Sequence, residues 1–315
     1  MFREILSFAS LIQNERSTMK KLFLVIAAVG ATSLSVHAAT TINAVNKFSY
    51  GANIGWMDWR GDGANGAVIG AFVCSGNIYA ANVGWISLGD GTPANGVRYG
   101  NNIATDCGVN HDGAGNLTGY AYGANIGWLT FTNRASDGTA YNGPKLDLLS
   151  GRLSGFVWSA NCGWISLNTA QGFVQTDTMV CGPDTDGDGI PDEWELQFAA
   201  NLGILNGAGD NDGDGFTNAE EFGADTNPLD ANSHLRVTST AKPTSVSPTT
   251  LIWTSSPTRQ YRIHSSTDVG APFPWPDIGL GLIAPDAGAS TTRVLAPTAD
   301  PYRFFVIEAI KPLQP

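Results

Sequence analysis

The chain has 315 residues, and 17 Lys and Arg stand against 28 Asp and Glu, so that its formal net charge is −11. This acidity argues against nucleic acid as a partner, because a phosphate backbone is bound by an excess of basic side chains. The length leaves room for two or three domains. The 38 glycines, together with many Asn, Ser, Thr and aromatic residues, are typical of short strands joined by turns.

Residues 1–38 are predicted to be a secretory signal peptide with a start codon assigned too early. Lys20 and Lys21 precede the apolar run LFLVIAAVGA, and the segment ends in Val-His-Ala. This is the charge, apolar core and small-residue exit of an export signal. The apolar run is too short and too interrupted for a membrane span. We therefore expect translation from Met19, cleavage after Ala38, and a mature chain that is secreted or held at the cell surface.

Residues 39–176 contain four copies of one hairpin pattern, which reads aromatic, any residue, Ala-Asn, apolar, Gly-Trp. The copies are SYGANIGWMDW (49–59), IYAANVGWISL (78–88), AYGANIGWLTF (121–131) and VWSANCGWISL (157–167). Asn and Gly at each tip are expected to supply positive-φ positions, and alternation after the tip separates an aliphatic face from an aromatic face. The repeat predicts a β domain whose copies stabilise one another, as a sandwich, a barrel or a propeller.

The four repeat tryptophans allow two interpretations. They are Trp56, Trp85, Trp128 and Trp164. In the first, which we favour, they pack over neighbouring glycines inside the domain, because a repeating core needs one fixed residue in each repeat. In the second they form an exposed platform on which sugar rings stack, with a tip asparagine beside each ring.

The four cysteines all lie in the part of the chain that we expect to be exported, where disulfides are stable. They are Cys74, Cys107, Cys162 and Cys181. Three pairings exist, and short loops favour Cys74–Cys107 and Cys162–Cys181. Cys162 stands where the other repeats have Ile or Val, so a small buried thiol is the alternative at this position.

Residues 177–234 contain two acidic loops with the D-x-D-x-D-G-x-x-[DN]-x-x-E spacing of a calcium loop. Alternate carboxylates of a tight turn point at one hard cation, and Gly189 and Gly215 allow the turn. The expected ligands are Asp184, Asp186, Asp188, the Ile190 carbonyl, Asp192 and Glu195 in the first loop, and Asp210, Asp212, Asp214, the Phe216 carbonyl, Asn218 and Glu221 in the second. Asn218 reaches calcium either through water or directly by its amide oxygen.

A short helix is predicted after each loop, from Pro191 to Gly203 and from Asn218 to Phe222. Residues 184–230 resemble the thrombospondin type-3 and dockerin-like calcium repeats of exported bacterial proteins, and this resemblance implies two Ca²⁺ sites. Thirteen acidic residues lie in this segment. Because the segment stands between two β regions, a calcium-stiffened spacer is favoured over a dockerin-like grip on a partner.

Residues 235–315 show alternating runs that predict five strands: LRVTST, TTLIWTSS, QYRIHSST, TTRVLAP and PYRFFVIEAI. With Trp253 and Tyr261 on successive strands, the pattern resembles a fibronectin type III or immunoglobulin-like sandwich. That resemblance implies adhesion or spacing rather than chemistry.

Catalytic motifs such as H-E-x-x-H and G-x-S-x-G are absent from the sequence, and His111, His234 and His264 are isolated from one another. We therefore expect a mainly β, non-enzymatic, calcium-binding structural or adhesion protein in which calcium rigidifies a linker between two β domains. Its expected partners are calcium and cell-surface or matrix proteins. The alternative is a carbohydrate-binding protein that uses the Trp hairpins, and the third reading is an extracellular polysaccharide hydrolase.

Overall fold

The computed structural model describes residues 40–61, 63–134, 138–242, 247–298 and 303–314. The predicted signal peptide and its cleavage site lie outside these residues. The described chain is mainly β with two short helices, which confirms the predicted fold class. It forms two compact units, and each is described by itself below.

The first unit, called the barrel unit here, holds the described residues 40–187, 191–202 and 312–314. Its strands are β1 Ile42–Gly51, β2 Gly55–Asp58, β3 Val68–Ile69, β4 Cys74–Ala80, β5 Gly84–Gly89, β6 Val109–His111, β7 Leu117–Gly123, β8 Gly127–Phe131, β9 Lys145–Leu146, β10 Leu153–Ser154, β11 Phe156–Ser159, β12 Gly163–Ser166 and β13 Val174–Thr176.

Eight strands of this unit close into a barrel. The four predicted hairpins are β1–β2, β4–β5, β7–β8 and β11–β12, and each pairs antiparallel with the next around the sheet. The sheet closes because β12 pairs back to β1, with Tyr50 opposite Ser166. Of the three architectures that the repeat allowed, the barrel is the one formed, and closure leaves these eight strands without a free edge.

Strand alternation places the aliphatic face inside the barrel and the aromatic face outside. The residue after each repeat tryptophan points inward, and Met57, Ile86, Leu129 and Ile165 are at most 2% exposed. The repeat tryptophans themselves are 43–45% exposed. The favoured prediction that they lie inside the domain is therefore wrong, because aliphatic side chains already fill the interior of a barrel of this size.

Contact between tryptophan and glycine does occur, but on the outer surface. The Trp85 ring lies 2.9 Å from the point where a Cβ on Gly61 would stand, and the Trp56 ring lies 3.2 Å from the same point on Gly172. A side chain at either glycine would push the indole away. These glycines therefore let a loop approach the indole closely while the ring stays 43–44% exposed.

A ring of four side-chain hydrogen bonds joins the hairpin tips. The bonds run from Asn53 Nδ2 to Cys162 O (3.0 Å), Asn82 Nδ2 to Ile54 O (3.0 Å), Asn125 Nδ2 to Val83 O (3.1 Å) and Asn161 Nδ2 to Ile126 O (2.9 Å). Each asparagine thus donates to the backbone of the preceding hairpin, and the first donates to the last. The tip glycines have positive φ, between 72° and 83°, as predicted. The tip asparagines do not, so their predicted backbone role is wrong and their side chains explain the motif.

All four cysteines are free thiols in the structure, so the predicted pairings Cys74–Cys107 and Cys162–Cys181 are not formed. Cys74 and Cys162 belong to the apolar core of the barrel unit. Burial raises the pKa of the Cys74 thiol to about 12. The Cys107 Sγ instead donates to Asn101 Oδ1 at 3.3 Å. Cys162 fills the apolar tip position, which is the small buried thiol that the sequence offered as an alternative.

The second unit, called the sandwich unit here, holds residues 188–190 and the described residues of 203–311. Its strands are β14 Val237–Ala241, β15 Thr249–Thr254, β16 Gln260–Ser266, β17 Ser290–Leu295 and β18 Phe304–Ile310. Strand β15 lies between β14 and β17 in one sheet, and β16 pairs with β18 in another. Trp253 and Tyr261 are fully buried in one apolar core. All five predicted strands form, while membership of a fibronectin or immunoglobulin family stays a prediction.

Replacing Asn161 by Ala removes one bond of the tip ring, from Asn161 Nδ2 to Ile126 O, and leaves the strands unchanged. We expect the free energy of unfolding of the barrel unit to fall by about 1 kcal/mol, the net contribution of one such hydrogen bond. This loss can be measured by urea unfolding followed by tryptophan fluorescence. We expect a lower urea concentration at the midpoint and an unchanged dependence of the unfolding free energy on urea concentration. Ala160→Ser changes the exposed neighbouring tip residue and is the matched control. Equal midpoints for the two variants would contradict a stabilising ring.

Candidate metal centre

The two acidic loops share one backbone shape. In each loop the first three aspartates bring their carboxylate oxygens within 4.8 Å of one another, as Asp184, Asp186 and Asp188 and as Asp210, Asp212 and Asp214. The glycines between them repeat the same positive φ angles, 75° and 94° at Gly187 and Gly189, and 76° and 96° at Gly213 and Gly215. The shared motif therefore gives both loops one local geometry of clustered carboxylates.

Backbone amides hold the aspartates of the second loop in place. Asp210 accepts from Gly213 N at 2.8 Å and from Gly215 N at 3.0 Å, and Asp214 Oδ1 accepts from Phe216 N at 2.9 Å. The first loop repeats two of these bonds, from Gly187 N to Asp184 Oδ1 at 2.8 Å and from Ile190 N to Asp188 Oδ1 at 2.9 Å. The carboxylates are thus preorganised by the turn.

A helix follows each loop, as predicted, but with different bounds. Helix α1 is Asp192–Phe198, shorter than predicted, because Ala199 has left the helical conformation with φ −129° and ψ 154°. Helix α2 is Asn218–Ala224, two residues longer, and it begins with a capping box between Thr217 and Glu220. In the part of the chain that the structure describes, no helix has the length and apolar character of a membrane span.

The second loop buries oxygen atoms that have no hydrogen-bond donor. Glu221 is 1% exposed and Asn218 is fully buried, and Glu221 Oε2, Asn218 Oδ1 and Asp212 Oδ2 are all without a hydrogen-bond partner. A buried oxygen without a donor destabilises a fold by about 1–3 kcal/mol. Oxygen ligands from carboxylates and amides are what Ca²⁺ prefers. The residues present therefore fit a calcium ion, and Glu221, Asn218 and the three aspartates would hold it.

The orientation of the Asn218 amide is fixed by its nitrogen. Asn218 Nδ2 donates to Asn206 O at 2.7 Å and to Asn211 Oδ1 at 2.9 Å. Since both amide protons are used there, Oδ1 is the atom left for a cation. Of the two routes that the sequence offered for this residue, direct ligation by the amide oxygen is the one that this contact set favours.

Burial and neighbouring negative charge raise the pKa of two carboxylates in the second loop. The pKa of Glu221 is raised from 4.5 to about 8, first by burial and then by the charges of Asp212, Asp214 and Asp210. Burial also raises the pKa of Asp212, with Asp214 and Asp210 adding to the effect. Burial and nearby carboxylates, the causes of both pKa shifts, are what we expect at a site where a cation balances clustered negative charge.

The first loop differs at the ninth position, where it has a carboxylate instead of an amide. Asp192 Oδ1 accepts from Thr185 N at 2.7 Å, and Oδ2 accepts from the Thr185 hydroxyl. Glu195, the predicted last ligand, is fully buried in α1. Glu193 follows Asp192 in α1, and its carboxylate occupies the place where a Cβ on Gly182 would stand. Burial raises the pKa of Glu193 to about 7. A side chain at residue 182 would displace that carboxylate, and the φ of 98° at Gly182 also favours glycine.

The third aspartate of each loop also bonds a residue well beyond the loop, which the sequence did not predict. Asp188 Oδ2 accepts from Gly207 N at 2.6 Å, and Asp214 Oδ2 lies 2.9 Å from His234 Nδ1. The His234 ring is 5.4 Å from the Phe216 ring. No motif connects His234 with the loop, so the only sequence signal was an isolated histidine at the end of the acidic segment.

The sequence model of the bacterial TSP3 repeat family matches residues 184–197 and 210–231. Both calcium loops therefore match the bacterial TSP3 repeat. No curated protein and no solved structure matches the chain. The TSP3 match and the two aspartate clusters are together consistent with calcium binding.

Replacing Glu221 by Gln removes the buried charge of the second TSP3 loop without changing the size of the side chain. We expect the variant to be more stable than the parent without calcium, because a desolvated carboxylate next to three others is gone. We expect it to lose most of the stabilisation that 10 mM calcium gives this loop, about 2 kcal/mol for extracellular affinities. Urea unfolding with and without calcium measures both effects.

Glu220→Gln is the matched control, because Glu220 is the neighbouring residue on α2 and serves as a cap, not as an expected ligand. Its Oε2 accepts from Thr217 N at 2.8 Å, and an amide oxygen can replace it. An equal calcium response in the two variants would show that Glu221 is not a ligand.

The raised pKa of Glu221 predicts how stability without calcium depends on pH. Between pH 4.5 and about 8 the folded chain binds a proton at Glu221 that the unfolded chain releases. The free energy of unfolding should therefore rise as pH falls through this window and decrease as pH rises. Unfolding in a chelator across this range checks the sign, and Glu221→Gln should flatten the slope. A slope of the opposite sign would contradict the assignment.

Proposed function

We propose that this chain is an exported calcium-binding structural protein in which calcium orders the TSP3 segment that links two β domains. The proposal includes localisation outside the cell, supported by the predicted signal segment and by the extracellular type of bacterial TSP3 repeats. Its partners are calcium and, through the β domains, components of a cell surface or matrix. The single observation that carries it is the way that the helix after the second loop continues into the sandwich core.

Helix α2 supplies ligands at one end and core packing at the other. Asn218 and Glu221 lie at its loop side, and Ala224, its last residue, belongs to the sandwich core with Trp253 and Tyr261. Seven residues therefore join the ion site to the core. A cation that orders the loop must also restrain the end of the helix that the core contacts.

The C-terminal end of α2 is fixed to the sandwich by charged and polar side chains. The buried Arg259 donates through Nε to Gly223 O at 2.8 Å and through Nη2 to Phe222 O. A cation at this position also suits the negative end of the helix dipole. Asp225, in a left-handed conformation, accepts from the hydroxyls of Ser256 and Thr258. The helix is thus held at both ends once the loop is ordered.

Helix α1 belongs to the barrel unit. Trp194 is 1% exposed, and its ring lies 5.0 Å from that of Phe198. The Leu196 side chain lies 2.7 Å from the point where a Cβ on Gly96 would stand. The helix that follows each TSP3 loop thus belongs to a different β unit. Calcium in the two loops would order the start of the helix that each unit contributes, which supports a spacer role.

The contacts of His111 and His264 support a non-enzymatic role. His111 is fully buried, with Nδ1 2.8 Å from Gly70 O and Nε2 accepting from Gly115 N at 3.1 Å. Burial lowers its pKa and favours the neutral ring. His264 lies between Trp275 O at 2.8 Å and Glu308 Oε2 at 2.9 Å. Each ring stabilises local structure, so the hydrolase alternative receives no support from these side chains.

Limited proteolysis with chymotrypsin tests the spacer role directly. The TSP3 segment contains Trp194, Phe198, Phe216 and Phe222 as cleavage sites. We expect slow cleavage in this segment with 10 mM calcium and cleavage at least ~10-fold faster in chelator, because local opening then exposes the backbone.

The double variant Glu195→Gln/Glu221→Gln should be cleaved at the same rate with calcium and with chelator, while Glu220→Gln should behave like the parent. Calcium-independent cleavage of the parent would exclude an ordering role. Protection of the double variant by calcium would show that these glutamates are not the ligands.

A further inference from the structure

Eight aromatic side chains form a continuous band around the outside of the barrel. Each repeat tryptophan stands directly opposite an aromatic residue in its own hairpin, as in Tyr50↔Trp56 and Tyr79↔Trp85. The eight residues, each 38–46% exposed, are Tyr50, Trp56, Tyr79, Trp85, Tyr122, Trp128, Trp158 and Trp164. We call these eight residues, with the four polar residues named next, the aromatic belt.

Polar residues join each aromatic pair of the belt to the next. The residue two positions after each tryptophan is opposite the first aromatic of the following hairpin. These cross-strand pairs are Asp58↔Tyr79, Ser87↔Tyr122, Thr130↔Trp158 and Ser166↔Tyr50. The belt therefore alternates an aromatic pair with a hydroxyl or carboxyl group four times, and it returns to its starting point.

The two rings of each pair are set at an angle and do not cover each other. Their centroids are 4.8–5.0 Å apart and their planes meet at 57–58° in all four hairpins. A third aromatic ring, from Phe48, Tyr120 or Phe156, stands edge-on to the tryptophan in three hairpins. Tyr141 also contacts Trp164, with ring centroids 4.7 Å apart. Each repeat tryptophan is still 43–45% exposed, and neighbours on a closed sheet fix its orientation.

The aromatic belt carries almost no net charge, which favours an uncharged ligand. Asp58 is its one carboxylate, and Lys47 Nζ neutralises it at 2.7 Å. The equivalent positions carry the uncharged Ser87, Thr130 and Ser166, on a chain whose net charge is −11. An uncharged surface of flat rings and hydroxyl groups matches a ligand with flat apolar faces and hydroxyl groups. Exposed aromatic area of this extent marks an interaction site.

We propose that the aromatic belt binds a neutral polysaccharide, with a sugar ring against the exposed part of each tryptophan and its hydroxyls bonded by the belt's polar residues. Four equivalent sites on one molecule suit a polymer of repeating units, because each further contact of the same chain is intramolecular. The binding site lies wholly in the barrel unit and does not depend on the calcium proposal, so either one can fail alone.

Affinity electrophoresis of the full chain in calcium tests this proposal. The probes are gels containing hydroxyethyl cellulose, xylan, mannan or soluble starch, with dextran sulfate as the anionic comparison. We expect retardation by at least one neutral polymer and none by dextran sulfate. The double variant Trp56→Ala/Trp128→Ala should weaken the apparent affinity at least ~10-fold through lost avidity. Leu149→Ala, which removes an exposed apolar side chain outside the belt, should leave it unchanged.

A second variant keeps the test decisive if the tryptophan changes unfold the barrel. Ser87→Lys/Thr130→Lys leaves every ring in place and puts two long charged side chains on the belt, so it should abolish retardation while the thermal unfolding midpoint is retained. Lack of retardation of the parent by all four neutral polymers would overturn the proposal. So would unchanged retardation of a folded belt variant, or retention by dextran sulfate alone.

Discussion

The burial of Glu221 among three aspartates is the constraint on which the sandwich unit depends. Its side chain is fully enclosed, its pKa is raised to about 8, and one of its oxygens has no hydrogen-bond donor. Such an arrangement opposes folding unless a proton or a cation balances it. Because Glu221 lies one turn from Ala224 in the core, the electrostatics of the loop and the packing of the sandwich cannot be separated.

The barrel is stabilised by apolar packing, strand pairing and neutral hydrogen bonds. Its interior is aliphatic, its sheet is closed, and its hairpin tips are joined by neutral amide groups that donate to backbone carbonyls. None of these contacts needs an ion. The strand pairing and the tip ring of the barrel should therefore be insensitive to calcium, whereas the sandwich unit contains a buried charge that a proton or a cation must balance. This division fits the two proposals made above, because the proposed binding surface would stay formed while calcium orders the proposed linker.

A feature could be predicted from the sequence when the residues that form it lie close together along the chain, and could not when they are far apart. The clustering of three aspartates in each acidic loop was predictable because these residues lie within five positions of one another, in a spacing typical of calcium loops. The hairpins and the five C-terminal strands were predictable from alternation. The outward position of Trp85 could not be predicted. Alternation shows that a strand has two faces, but which face is interior depends on how the sheet closes, here by pairing of β12 with β1. Likewise, the role of Asn161 depends on a carbonyl 35 residues away, and that of His234 on a carboxylate 20 residues away.

The bond from Asn53 to Cys162 O joins the first hairpin to the last, and this sets how the domain can change in evolution. A solenoid can gain or lose a repeat at either end, since each repeat contacts only its neighbours. Here no hairpin is terminal. To insert a fifth hairpin, the strand pairing and the asparagine bond between two neighbouring hairpins would first have to break. The copy number is therefore locked, while the connections between hairpins are free to diverge, as the unequal spacing of the four copies already shows. The loops and the outward faces are therefore the parts of the domain where a residue can change without breaking a strand pairing or a tip bond.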